Sequence, residues 1–226
     1  MLKALSVKTV PRVAWSSPQQ FSFKPRLPTL FWLCFGLTLF GLGEACLIAA
    51  GAGVSPWTVL AQGIGLQLHL TIGWATFVCS LLVLFLWVPL KQLPGLGTIL
   101  NAVIISAAIG LSLPYLPNPN FLPLQLLEVV VGILLVGLGS GLYLVAQLGP
   151  GPRDGLMTGL QRVTDLPIAW VRMAIEVSVV LLGWLLGGTF GAGTLLFAIG
   201  IGWSVSLGLY LVGIVFTQQI DAAPEN

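Results

Sequence analysis

Few ionisable residues interrupt the apolar part of this chain, and they are where its chemistry has to be sought: Glu44, His69, Glu128, Asp165, Arg172 and Glu176. Carrying an Arg or Asp into a spanning helix costs at least ~2.5–3.5 kcal/mol, so each is a candidate for function. Arg172 and Glu176 stand four apart, on one helical face, where they can neutralise each other. That pair either pins a helix bundle or opens to take an ion or an anionic solute, with Arg172 as the anion ligand. Glu44 sits among Gly41, Gly43 and Ala45, so its carboxylate is expected to point into a bundle, against the small face Gly137–Gly141. There it serves either as a proton- or cation-coupling group or as a hydrogen-bonded structural acid. His69 is the only histidine. Glu128 lies one turn into an apolar segment and ranks lower.

A second group of residues marks breaks rather than spans. Gly51-Ala-Gly-Val-Ser-Pro-Trp57 and Gln147-Leu-Gly-Pro-Gly-Pro-Arg-Asp154 are separated by 96 residues. Sliding the chain against itself by 96 gives eight identities in the 24 positions from Gly41 to Ile64. The same offset pairs Trp74 with Trp170 and His69 with Asp165. A fixed offset over so long a stretch predicts a duplicated unit. Gly53, Ser55 and Pro56 in the first copy, and Gly149, Pro152, Arg153 and Asp154 in the second, are the gate or loop residues of this reading. A helix starting at Pro152 offers free N–H groups to an anion, although Asp154 can also cap them itself.

Composition sets the frame for these residues. The chain is 57% hydrophobic and 7% charged, with mean hydropathy +1.01. A soluble domain carries roughly 25% charged residues, so a water-soluble core is excluded. The expected class is an all-α polytopic membrane protein. No dinucleotide fingerprint, zinc-protease motif, phosphate-binding lysine loop or Ser/His/Asp spacing appears, and an enzyme is not expected. Cys34, Cys46 and Cys79 fall in apolar runs without metal-ligand spacing. Neither metal nor cofactor is expected, nor is nucleic acid a partner.

Six stretches meet the requirement of about 20 apolar residues: 30–50, 70–90, 98–116, 124–148, 166–187 and 194–216. Two more, 57–68 and 153–164, are only roughly 18 Å long as helices and too short to cross. The leader 1–28 holds Lys3, Lys8, Arg12, Lys24 and Arg26 and no acid; it reads as a basic, partly disordered cytoplasmic arm. Six spans then leave Lys91, Arg153 and Arg162 inside and the outer connectors free of Lys and Arg. Three spans per copy invert the second copy relative to the first. The expected fold is therefore six transmembrane helices in two inverted three-helix repeats, each with a short broken or re-entrant helix after its first span. Membrane repeats at 29–116 and 124–216 are joined by a Pro-rich outer connector, 117–123, and followed by a polar tail, 217–226. Trp32, Trp57, Trp87 and Trp203 read as interfacial anchors.

At Leu148-Gly-Pro-Gly-Pro-Arg-Asp-Gly-Leu-Met157, together with Gly51-Ala-Gly-Val-Ser-Pro-Trp-Thr58, the chain resembles the YczE/YitT-type bacterial membrane proteins. The resemblance covers most of 30–216 and leaves the basic arm outside. It implies a multispanning protein, a transporter or an accessory membrane protein, and brings no catalytic residues; the expected location is a bacterial inner or thylakoid membrane, with both termini cytoplasmic. Two functions follow as expectations. One is a small permease whose solute or ion binds near mid-membrane, lined by Glu44, His69, Asp165, Arg172 and Glu176. The other is an accessory subunit docking onto a larger membrane complex. Its partners are the lipid bilayer, the solute, and further copies or a larger assembly.

Overall fold

The computed structural model describes residues 10–19 and 22–221, with side chains described as far as Phe216. Lys3, Lys8 and the end of the polar tail lie outside the described residues. Eight α-helices follow one another: α1 Leu27–Ala50, α2 Pro56–Leu68, α3 Ile72–Trp87, α4 Leu96–Ser112, α5 Leu122–Ala146, α6 Pro152–Thr164, α7 Ile168–Leu185 and α8 Ala192–Asp221. A 3₁₀ turn, Leu113–Tyr115, prolongs α4, and the described residues contain no strand. Helices α1, α4, α5, α7 and α8 are each long and apolar enough to cross a bilayer. Helix α3 has 16 residues, about 24 Å. Between α2 and α3 the chain axis turns by 110°, so α2 folds back instead of extending α3.

The duplication is written into the backbone. Helices α2 and α6 have bounds that differ by 96 at both ends. Each starts with proline at its first turn, where the missing N–H costs nothing. Each ends on a left-handed residue, His69 at φ 54° and Asp165 at φ 55°. All eight positive-φ positions among the described residues form four such pairs: 51/147, 53/149, 69/165 and 91/187.

Contacts between the helices repeat in the same way, with the two copies exchanging roles. Gly36 meets the backbone of Gly139, and Gly43 that of Gly132. Adding 96 to one member and subtracting it from the other turns the first contact into the second. Because the numbers run in opposite senses, α1 and α5 lie antiparallel. A Cβ on Gly43 would stand 2.6 Å from the Gly132 carbonyl oxygen, so this crossing tolerates nothing larger than hydrogen. Gly41 packs on Ile105 and Ala108 of α4, as Gly137 packs on Ser204 of α8. Gly97 N–H donates to Leu148 O at 2.7 Å, as Gly193 N–H donates to Ala52 O at 2.7 Å. Each copy thus seats its last helix on the other copy's loop. Gly53 and Gly149 (φ 111° and 108°) are required there twice over, by conformation and by the backbone of Gly191 and Gly95 against them.

In one respect the copies differ. Helix α3 packs along α4, with Gly73 against Ser106 and Gly110. A groove runs between the last two helices of each copy, about 530 Å³ beside the α3/α4 contact and about 450 Å³ between α7 and α8, but α7 makes no comparable contact with α8. Gly202, on α8 at the position equivalent to Ser106, has open space beside it.

Two expectations need correction. The glycine face 137–141 does not meet Glu44: Gly137 and Gly141 pack on Ser204 and Gly208 of α8, and Gly139 on α1. Trp57 and Trp87 are core residues, 6% and 2% exposed, because each half-helix needs bulk where it crosses its neighbours. Part of the basic leader is docked on the bundle. Val13 and Trp15 are buried among α1, α4, α5 and α8, Ser17 N–H donates to Ala146 O at 3.1 Å, and the Thr29 hydroxyl donates to Trp15 O.

Candidate functional site

The N-terminal ends of α2 and α6 converge at the centre of the bundle, and Glu44 of α1 lies between them. Its carboxylate is fully buried. Thr58 Oγ1 donates to Oε2 at 2.7 Å, and Ser55 Oγ bridges both oxygens at 2.7 and 3.0 Å. These hydroxyls hold the acid because Ser55 is the N-cap of α2 and Thr58 its third residue, one turn apart on the same face. Arg153, from the first turn of α6, brings Nη1 to 3.5 Å from Glu44 Oε1. That is a charge contact too long for a good hydrogen bond. The guanidinium lies 5.6 Å from the Trp57 ring centroid and 6.0 Å from that of Phe40, within cation–π range of both.

The second copy mirrors this with the chemistry reversed. Here the acid sits on the short helix, Asp154, and the hydroxyl on the long one, Tyr143, which donates to Asp154 Oδ2. Trp87 Nε1 donates to Pro152 O at 3.0 Å and ties the start of α6 to α3. Beside the cluster is a cavity of about 220 Å³, lined by Asn101, Ser140, Tyr143, Arg153, Asp154, Arg172 and Glu176 among apolar neighbours. Arg172 Nε donates to Glu176 Oε1 at 2.8 Å, and this pair borders both the cavity and the α7/α8 groove.

Of the solute residues expected from sequence, the structure gathers Glu44, Arg172 and Glu176 around this centre, and the loop residues Ser55, Pro56, Pro152, Arg153 and Asp154 with them. Gly53 and Gly149 stand behind it as the helix seats described above. His69 and Asp165 are not brought there. Both are exposed at the far ends of α2 and α6, where the left-handed turn that ends each helix carries them away. Their match at offset 96 corresponds to a left-handed turn at the same place in each copy. Glu128 is apart from the centre as well, its carboxylate oxygens buried in the first turns of α5 with no hydrogen-bond partner among the described residues. Sequence reasoning missed the Glu44–Arg153 contact, since 109 residues separate the two. Its one available signal was that the copy-two loop puts an arginine where copy one has Trp57. No group of three or more His, Cys, Asp or Glu among the described residues is arranged to hold a metal ion.

A buried charge cluster at paired helix breaks, inside an all-helical bundle with an apolar exterior, defines the class: a polytopic integral membrane protein. Within that class the chain belongs to a family of unknown function, DUF6198, whose pattern matches residues 27–209. It is 41% identical over 206 residues to an uncharacterised protein of Haemophilus influenzae, covering 91% of this chain and 94% of that one. It is 33% identical over 171 residues to the uncharacterised membrane protein YczE of Bacillus subtilis, 75% of this chain and 77% of that one. The uncharacterised protein YyaS of Bacillus subtilis is 27% identical over 165 residues, 71% of this chain and 82% of that one. No solved structure matches.

Proposed function

We propose that the protein is a small inverted-repeat permease, not an enzyme, moving a small solute or ion through the cavity between its two half-helices. One observation carries this reading: two helix starts, related by the 96-residue repeat, meet on a buried charge cluster beside a polar cavity. Broken helices in transporters place their binding sites at such paired breaks. The antiparallel packing of α1 on α5 supports an exchange axis lying in the membrane plane, which makes the repeats inverted. Both termini then face the cytoplasm, across a bacterial inner or thylakoid membrane.

The unequal packing of the copies supports a moving part. In an inverted repeat, the state open to the other side is obtained when the halves exchange conformations. Helix α7 would then close on α8 while α3 leaves α4, and access to the cavity would change sides. The test is thiol accessibility. With Cys34, Cys46 and Cys79 replaced, Asn101→Cys and Ser140→Cys should react with a membrane-impermeant reagent from both faces of the bilayer. Each face should protect when the opposite one is occupied by a bulky reagent. Labelling confined to one face would overturn the permease and leave a one-sided pocket.

A further inference from the structure

Arg153 is the least satisfied group at the centre of the molecule. Its side chain is 24% exposed and lines the cavity, and among the described residues it donates no hydrogen bond. A guanidinium carries five N–H donors, and those without a protein acceptor are open to water or a ligand. Trp57 and Phe40 flank the guanidinium, so its donor edge is free for a ligand. A planar fork of N–H groups fits the paired oxygens of an oxyanion.

Glu44 has the opposite character. It is satisfied without Arg153, because Ser55 and Thr58 reach both of its oxygens. Hydroxyls both donate and accept, so a protonated Glu44 can donate to one of them while the other still donates to it. The acid can therefore lose its charge without stranding a partner. The arginine cannot.

Resting on the permease reading, we propose that the cavity takes one small monovalent oxyanion on Arg153 together with one proton on Glu44. The local charges argue for the pairing. Glu44 and Asp154 are negative and Arg153 positive, while Arg172 and Glu176 cancel, which leaves one net negative charge around the cavity. An anion arriving alone would double it in a low-dielectric site. Arriving with a proton, it leaves the net charge unchanged: the proton forms the Glu44 O–H bond and the anion takes the carboxylate's place beside the guanidinium. One anion and one proton enter and the same two leave, so the cycle carries no net charge. A bare cation finds Arg153 and two positive helix starts in its way. At about 220 Å³ the cavity holds about seven waters at ~30 Å³ each, room for an oxyanion of a few heavy atoms. The groups facing Glu44 and Arg153 from packed elements are Tyr143 of α5, Cys79 of α3, Asp154 of α6, and Arg172 with Glu176 of α7. Helix α2 contributes only hydroxyls.

The proposal is tested on the full-length protein in detergent by thermal unfolding at constant ionic strength. Sodium lactate and sodium nitrate serve as probes, against chloride and choline chloride. Ligand binding raises Tm in proportion to occupancy. Lactate, nitrate or both should stabilise saturably, lactate alone marking an organic carboxylate and nitrate an inorganic oxyanion. Across a pH series apparent affinity should weaken as pH rises, by up to about tenfold per pH unit, one proton being linked to each anion. Glu44→Gln, which resembles the protonated acid, should bind at least about tenfold more tightly at the upper end and lose the pH dependence. Arg153→Lys should lose binding; if it fails to fold, the comparison of the natural protein with Glu44→Gln decides alone. Stabilisation by choline only, by neither oxyanion, or with unchanged pH dependence in Glu44→Gln overturns the proposal. If thiol access alternates but no oxyanion binds, the permease stands and this assignment falls. If oxyanion binds but access is one-sided, the reverse holds.

Discussion

The third residue of α2 is Thr58 and the third residue of α6 is Asp154; the long helices facing them present Glu44 and Tyr143. The two copies therefore build the same hydroxyl–carboxylate bond with its ends exchanged. They are not equivalent in charge, because Arg153 has no counterpart: copy one has Trp57 in its place, and the arginine lies against that ring. The halves share backbone features at the 96-residue offset, down to the matched left-handed turns, while the side chains at the breaks differ. The second difference is in packing, since α3 touches α4 at Gly73, Ser106 and Gly110, whereas Gly202 of α8 has open space beside it. One helix pair is in contact where the other is apart, and the proposed exchange between the halves would interconvert the two arrangements.

The largest effect should come from forcing the separated pair to copy the one in contact. Ala169 and Gly202 stand at the positions equivalent to Gly73 and Ser106, which touch in copy one. In a background without other cysteines, Ala169→Cys with Gly202→Cys should form a disulfide only when α7 reaches α8, because Cα atoms beyond about 7 Å cannot be bridged. Cross-linking is expected to abolish labelling of Ser140→Cys from whichever face reaches it in the uncross-linked protein, and reduction to restore it. Gel mobility and side-specific labelling read the result. A pair that never cross-links would make the asymmetry permanent and remove the exchange.

A smaller effect should separate the two acids. Glu44→Ala leaves the buried hydroxyls of Ser55 and Thr58 without their acceptor, at about 1–3 kcal/mol each, and also removes the charge contact to the partly exposed Arg153. Asp154→Ala removes only the partner of the Tyr143 hydroxyl, about 1–3 kcal/mol. Thermal unfolding in detergent measures both. Equal losses would mean that the copies are alike in charge as well as in backbone, and that Arg153 draws its balance from elsewhere.

Much of this comparison was open to reading in the chain itself, and the reasons for the rest are physical. Proline, glycine and the 96-residue offset place both half-helices within one residue of their observed starts, since helix starts and breaks are local events. The meeting of Glu44 with Arg153 is tertiary and leaves no spacing to find. Trp57 and Trp87 were misread because a tryptophan near the end of an apolar stretch suits either a bilayer interface or a crossing of helices. Only the neighbours decide, here Arg153 and Pro152. His69 and Asp165 are the opposite case, matching polar residues at matched breaks that stand at helix ends. Trp15 was hidden by its setting, a basic leader whose composition gave no sign that one tryptophan docks on the bundle.

The finest distinction between the copies lies where each half-helix crosses the other copy's long helix. Gly155 of α6 makes room for the indole of Trp87, whereas at the equivalent crossing Gly183 of α7 makes room for the backbone of Val59 and Leu60. Alanine at either glycine overpacks its crossing and should cost about 1–3 kcal/mol. The two costs should respond differently to a second change. Against Gly155→Ala the obstacle is a side chain, so Trp87→Phe should recover part of the loss, with a coupling energy of about 0.5–3 kcal/mol in a double-mutant cycle. Against Gly183→Ala the obstacle is main chain, so Val59→Ala should recover nothing. Measured coupling at both crossings would show that α2 and α6 have equal freedom to shift. Coupling at neither would mean that both are held by backbone contact, and the half-helices would then be fixed posts around which other elements move.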